Sequence, residues 1–167
     1  MNQILDRILN LARSADPEMR ELDAAELVEE VVLLTRTKLA TARIRPEMKM
    51  PGRGTAKLRG DRSLLEQALL NLVLNAVEAM PGGGVLRLEV RLQGEEIILA
   101  VQDDGPGMKQ EILDRLFEPF LTRRPGGTGL GMAIVRRTVE VHGGKVGVQS
   151  RSGKGTRVEI RLPKMIS

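Results

Sequence analysis

The sequence predicts an α+β fold: a two-layer α/β sandwich in which helices cover one face of a mixed, mostly antiparallel sheet. Three observations carry this. Residues 63–80 read as a long helix whose circumference is nearly all Leu, Val, Ala or Met. Residues 85–92 alternate cleanly between apolar and polar; after Gln93-Gly94 comes a more uniformly apolar run over 96–102, so a half-buried strand turns into a central one. A last helix ends at Gly143-Gly144, and two further strand-like runs follow, 145–150 and 156–162.

Taken in order, residues 2–13 set Ile4, Leu5, Ile8, Leu9 and Ala12 on one helical face, and Ser14-Ala-Asp-Pro17 ends that helix. It is too short to be stable alone and needs a partner surface or a longer helix to belong to. A second helix starts near Asp23, with Asp23 and Glu26 in the capping pattern and Leu22 and Leu27 as a hydrophobic staple, and runs to about residue 42. Residues 44–50 form an edge strand, since Pro46 lacks an N–H for a ladder. Residues 55–59 make a short strand. The long helix over 63–80 follows, capped by Asp61 or by Ser63 with Glu66, and Pro81-Gly-Gly-Gly84 stops it. Between the central strand and the last helix, residues 105–128 read mostly as loop, with a short helical piece near 109–116. A connection of that length in a compact domain is usually functional or disordered.

Composition excludes several classes. The 167 residues hold no cysteine, which removes disulfides, thiol nucleophiles and thiolate metal sites and fits a cytosolic protein. No apolar run approaches a membrane span of about 20 residues, and the N-terminus has no signal-peptide pattern. A net charge of +4 is spread along the chain, and Phe117 and Phe120 are the only aromatics, so stacking platforms for nucleic acid are missing.

Four stretches can carry chemistry. At about 100° per residue, Gln67, Asn71, Asn75 and Glu78 form a thin polar line on the long helix. Either neighbouring loops satisfy these groups or they face a cleft and a polar ligand. Asn71 and Asn75 lie one turn apart and offer neutral oxygen ligands, suited to a Mg²⁺ ion that shares itself with substrate phosphates. Asp103, before Gly105 and Gly107, can cap its own turn or accept from an exocyclic amine such as that of adenine; Asp104 is its neighbour for comparison. Gly126-Gly-Thr-Gly129-Leu-Gly131 opens a helix, as a hinge or as a phosphate cradle, but matches neither a Walker loop nor a dinucleotide fingerprint. Arg123 and Arg124 are a solvated pair, or a lid that brings positive charge to phosphates.

In this order and spacing the stretches resemble the ATP-binding domain of sensor histidine kinases, in the superfamily shared with DNA gyrase, heat-shock chaperones and mismatch-repair ATPases. Asn71-Leu-Val-Leu-Asn75-Ala is similar to the family's N box. Asp103-Asp-Gly105-Pro-Gly107-Met108 is similar to the first glycine box, and Leu116-Phe117-Glu-Pro-Phe120 to the F box. Gly127-Thr128-Gly129-Leu130-Gly131 is similar to the second glycine box, and Gly155-Thr156 to the last. The similarity runs from about Leu22 to Pro163, with the nitrogen-regulation branch nearest in flavour.

The resemblance implies a Bergerat-type fold that binds ATP and Mg²⁺, with Asn75 and Asn71 on the metal. Asp103 would read the adenine amine, supported by Thr156 through a water, and Gly105 and Gly107 would let the chain pass close to the base. Gly127, Thr128, Gly129, Leu130 and Gly131 would cradle phosphates with Arg123 and Arg124, and Phe117 and Phe120 would anchor a lid over about 105–128. Residues 17–167 would be the catalytic domain. Residues 1–16 would be the tail of a dimerisation helix and a linker. The partners implied are the histidine-bearing dimerisation domain of the same or a partner kinase and a downstream response regulator, with no nucleic acid and no membrane contact by this segment. Where many members read Thr-Thr-Lys, this chain has Thr122-Arg123-Arg124 and keeps the charge. The sole histidine, His142, has no acid beside it and sits before Gly143-Gly144, so it reads as a helix-end residue and the acceptor is expected elsewhere. The alternatives are an ATPase switch, a kinase of serine in a regulatory partner, and a nucleotide-binding module without catalysis. The first needs a Glu base where Asn71 stands, and an amide takes no proton at neutral pH.

Overall fold

The computed structural model describes residues 16–120 and 129–166. Its main sheet has five strands in the order β2 (Ile44–Lys49), β4 (Gly84–Gln93), β5 (Glu96–Asp103), β7 (Thr156–Pro163), β6 (Lys145–Ser150). Only β2 and β4 run parallel; the other three pairs are antiparallel. The expected mixed, mostly antiparallel sheet is therefore present, β2 with Pro46 lies at its edge, and the uniformly apolar β5 is its middle strand.

Two differences from the expected elements have local causes. Leu22 belongs to an additional short strand, β1 (Arg20–Asp23), paired antiparallel with β3 (Lys57–Gly60). Four residues are too few to show a period; what holds them is the pairing of buried Leu22 opposite buried Leu58. The single helix expected to about residue 42 is broken into α1 (Ala24–Leu34) and α2 (Arg36–Thr41). Buried Thr35 donates its hydroxyl back to the Val31 carbonyl at 2.8 Å, which competes with the helix ladder. Asp23 caps α1 by accepting from the Ala25 N–H, as its position foretold.

The long helix is α3 (Arg62–Ala79). Asp61 is its cap, accepting from the Leu64 N–H; Ser63 lies inside the first turn, so the Ser63–Glu66 box is not the start signal. Leu65, Ala68, Leu69, Leu72, Val73 and Ala76 are buried in the core, which also takes Leu86, Leu88 and Val90 of β4, Ile97, Leu99 and Val101 of β5, and Val158, Ile160 and Leu162 of β7. Each fully buried Leu contributes about 1.5–3 kcal/mol. Packing therefore decides which way α3 is turned, and the polar line is left pointing out. The segment after β5 contains α4 (Gln110–Leu113), shorter than expected, and the last helix is α5 (Gly131–Val141). Gly143 closes α5 at φ +70°, with its own N–H on Glu140 and that of Gly144 on Val139.

The other face of the sheet is sealed by charge. Ile98 and Ala100 are buried there, and their cross-strand neighbours are Arg91 and Arg161, and Glu89 and Glu159. Arginine stems can cover apolar surface while their heads pair. Arg157 reaches both Glu159 (3.1 Å) and Glu89 (3.4 Å). Burial pushes the Glu159 carboxyl up, but the Arg157 hydrogen bond and the charges of Arg157, Arg91 and Arg161 outweigh it and hold the group below its ordinary value. A carboxylate held low stabilises the fold above its unfolded pKa, and that stabilisation is lost as pH falls through the folded value. Glu159→Gln should therefore cost about 1.5 kcal/mol at pH 7, and the gap to the parent should close in strongly acidic buffer. Melts at both pH values check this; a gap that does not depend on pH would contradict the ion network.

Candidate functional site

Along α3, Gln67, Asn75 and Glu78 are exposed and Asn71 is half-buried. The Asn71 side-chain nitrogen is itself buried and has no hydrogen-bond partner among the described residues. An unmet buried donor costs about 1–3 kcal/mol, and the described loops do not satisfy the Asn71 amide. What lies over it is the start of α5: a Cβ on Gly131 would stand 3.9 Å from Asn71 Cγ and 3.9 Å from Asn75 Nδ2. Helix N-termini carry a partial positive charge, and the first residue of α5, Gly131, is the one that faces the two asparagines.

The C-terminal end of α3 meets the Asp-Gly turn. A Cβ on Gly105 would come within 2.7 Å of the Ala79 carbonyl, so that turn rests directly on the helix end. Ala79 is two turns beyond Asn71, about 12 Å along the axis. One helix thus runs from the asparagines to Asp103.

Asp103 is buried at the end of β5, with Oδ1 accepting from the Gly105 N–H at 2.9 Å. The turn-capping reading is correct for that oxygen. Burial raises the carboxyl above its ordinary value; the Gly105 and Thr156 backbone N–H groups pull it down and the Asp104 charge pushes it further up, with a net rise. Asp104 points elsewhere, accepting from Arg87 Nη1 at 2.7 Å and from the Val85 N–H. Two adjacent acids are thus separated, one turned back onto its own Asp-Gly turn and one onto β4.

The remaining glycines serve backbone contacts. Gly107, at φ +70°, has no room for a Cβ because the Arg151 carbonyl occupies that place; Gly155, at φ +74°, is held the same way by the Asp103 carbonyl. The first glycine stretch and the β6–β7 turn therefore clasp each other, with the Gly153 N–H on the Pro106 carbonyl at 2.6 Å. Thr156 stands opposite Asp103 in the β5–β7 register.

Residues 60–166 match the family described as histidine kinase-, DNA gyrase B-, and HSP90-like ATPase. The chain belongs to this family. It is 34% identical over 164 residues to sporulation kinase A of Bacillus subtilis, covering 96% of this chain and 27% of that protein. Among solved structures, the nucleotide-free catalytic domain of histidine kinase ThkA superposes with a TM-score of 0.80 at 30% identity, covering 88% of this chain and 98% of that one. Full-length ShkA in complex with AMPPNP gives a TM-score of 0.83 at 27% identity, covering 97% of this chain and 35% of that one. ThkA in complex with response regulator protein TrrA gives 0.77 at 26% identity, covering 96% and 47%. The chain spans between 27% and 37% of the length of the first curated relatives it matches.

Of the expected site residues, the structure brings Asn71, Asn75 and Gly131 together on the C-terminal half of α3, and sets Asp103, Gly105, Gly107 and Thr156 about the turn that rests on its last residue. Gly129 adopts φ +68° and Leu130 is buried. Arg123, Arg124, Gly127 and Thr128 lie outside the described residues, as does the amphipathic helix expected over 2–13. The two phenylalanines differ. Phe117 is half-buried against the core, with the Arg136 guanidinium 5.8 Å from its ring centroid. Phe120 exposes its ring and instead holds the chain by its N–H, which donates to the Gly129 carbonyl at 2.9 Å.

His142 is a helix-end residue as expected, at the C-cap of α5, and its ring does more than end the helix. It is buried, its Nδ1 lies 2.7 Å from the Thr138 carbonyl, and its Nε2 accepts from the Asp61 N–H at 2.9 Å. That pattern makes it the Nδ1–H tautomer, tying the end of α5 to the cap of α3. Sequence reasoning missed this tie, and it missed Ser150, whose Oγ meets Met108, Gly155 and Thr156. Nothing local marks a serine at a strand end as a junction; only the fold brings those groups to it.

Proposed function

We propose that the chain is the catalytic, ATP-binding domain of a two-component sensor histidine kinase. It binds MgATP and passes the γ-phosphoryl to a histidine on a dimerisation domain, in the same or a partner kinase, with a response regulator downstream. Residues 17–167 are the domain, with a lid over about 105–128, and residues 1–16 are the end of a dimerisation helix and a linker. We read the segment as cytoplasmic; among its described residues no helix is long and apolar enough to cross a membrane. The observation that carries this reading is the unmet Asn71 amide beneath the start of α5, on the same helix that ends against the Asp103 turn.

The donor set fits the group. Asn71 and Asn75 would hold Mg²⁺ through amide oxygens, and the ion would neutralise charge on the phosphates. Gly129, Leu130 and Gly131, with Gly127, Thr128, Arg123 and Arg124, would receive phosphate oxygens at the α5 N-terminus. Asp103 accepts from the adenine amine, with Thr156 supporting it. Asn71 supplies no base for water, which favours transfer to a partner over hydrolysis by the chain itself.

The Asp103 role is testable through the base. Guanine puts a carbonyl where adenine has an amine, so two acceptors would face each other; discrimination against GTP should exceed about tenfold. Holding a buried carboxylate ionised costs stability, so Asp103→Asn should keep or raise the melting temperature while weakening ATP. Asp104→Ala should keep the ATP preference, because that residue engages Arg87. Equal affinity of the parent for ATP and GTP by calorimetry would refute the assignment.

A further inference from the structure

Ser150 ends β6 and has one proton to give and two lone pairs to fill. The Met108 N–H donates to its Oγ at 2.8 Å, and the Gly155 carbonyl stands 3.1 Å away as an acceptor. The third neighbour is the Thr156 hydroxyl at 2.8 Å. A carbonyl can only accept, and giving the Ser150 proton to Gly155 is the one assignment that satisfies all three neighbours at once. One lone pair is taken by Met108, and the other is left for the Thr156 proton. In that assignment every hydrogen-bonding capacity of Ser150 is used, and the Thr156 hydroxyl donates to Ser150 and keeps its lone pairs for other partners.

We infer that Ser150 is a positioning residue that sets the polarity of Thr156, presenting acceptors to the base beside Asp103, and joins that edge of the site to Met108 at the root of the lid. The inference rests on the reading of Asp103 and Thr156 proposed above. With Ser150 in place, Thr156 welcomes an amine, directly or through a water, and cannot donate to a carbonyl. Without it, the Thr156 hydroxyl is free to rotate and to donate to guanine. Specificity is a difference of two affinities, and this arrangement acts on both.

The test measures AMPPNP and GMPPNP affinity by calorimetry, with Mg²⁺, on the whole chain and its variants. In Ser150→Ala the adenine preference should fall by about tenfold, with much of the change arising from tighter GMPPNP binding. Ser150→Thr, which keeps the hydroxyl, should restore the preference. Amide exchange at Met108 should quicken in Ser150→Ala and not in Ser150→Thr. Should Ser150→Ala fail to fold, Ser150→Cys, whose thiol is only a weak donor and acceptor, takes its place and should lower the preference in the same direction. A parent that prefers adenine, with an unchanged preference in whichever of Ser150→Ala and Ser150→Cys folds, would overturn the role of Ser150 and leave Asp103 standing. A parent with no preference would overturn the reading of Asp103 itself.

Discussion

Asn75→Ala is expected to bind ATP no better with Mg²⁺ than without it, an affinity loss of at least about a hundredfold. Asn75 is exposed on the side of α3 that faces Gly131 and plays no part in the buried core. Removing its amide therefore takes away a hard oxygen ligand and little packing. Alanine is also the better helix former, by about 0.5 kcal/mol, so thermal stability should hold or rise slightly. Calorimetry with and without Mg²⁺, beside a melt, separates the two effects. An unchanged, Mg²⁺-dependent affinity in a folded Asn75→Ala protein would remove the metal assignment.

His142→Ala should show the opposite profile, a loss of stability without a loss of chemistry. The ring is buried between Asp61 and Thr138, and Gly60 beside it has no space for a Cβ, with His142 Cδ2 at 3.1 Å from that position. Truncation leaves a cavity, a buried N–H on Asp61 and an unpaired carbonyl on Thr138. Together these should cost about 2–4 kcal/mol, read by urea denaturation. The imidazole is enclosed and both nitrogens are engaged, so it is no phosphoryl acceptor. A variant as stable as the parent would contradict the tie between α5 and α3.

What could be read in advance follows the range over which each feature is encoded. The polar line of α3, the alternation of β4 and the apolar run of β5 are local patterns, and all three stand as expected. β1 and the break at Thr35 are not local: one exists through Leu22 lying opposite Leu58, the other through a buried hydroxyl turning back on Val31. Strand order likewise depends on pairings of residues as far apart as Glu96 and Pro163 and has no signature in any one strand. The charged seal over Ile98 is written as alternating Arg and Glu in β4 and β7, but only their register against β5 shows what it covers. At the site, residue types with distinctive chemistry were legible: Asn71, Asn75, Asp103 and the glycines. The reason for Gly107 and Gly155 was not, because the carbonyls that exclude a Cβ come from Arg151 and Asp103, far along the chain. Ser150 and Asp61 act as junctions for segments that meet only after folding.

The most direct test of the proposed kinase activity is phosphoryl transfer in trans. The chain is incubated with radiolabelled ATP and Mg²⁺, alone and with a separately made helical unit bearing the acceptor histidine. Alone it should neither label itself nor release phosphate quickly, since His142 is enclosed and Asn71 is no base. With the added unit, an acid-labile label should appear on that unit, and folded His142→Ala should transfer as the parent does. Label on this chain that vanishes in His142→Ala, or rapid phosphate release by the chain alone, would contradict it.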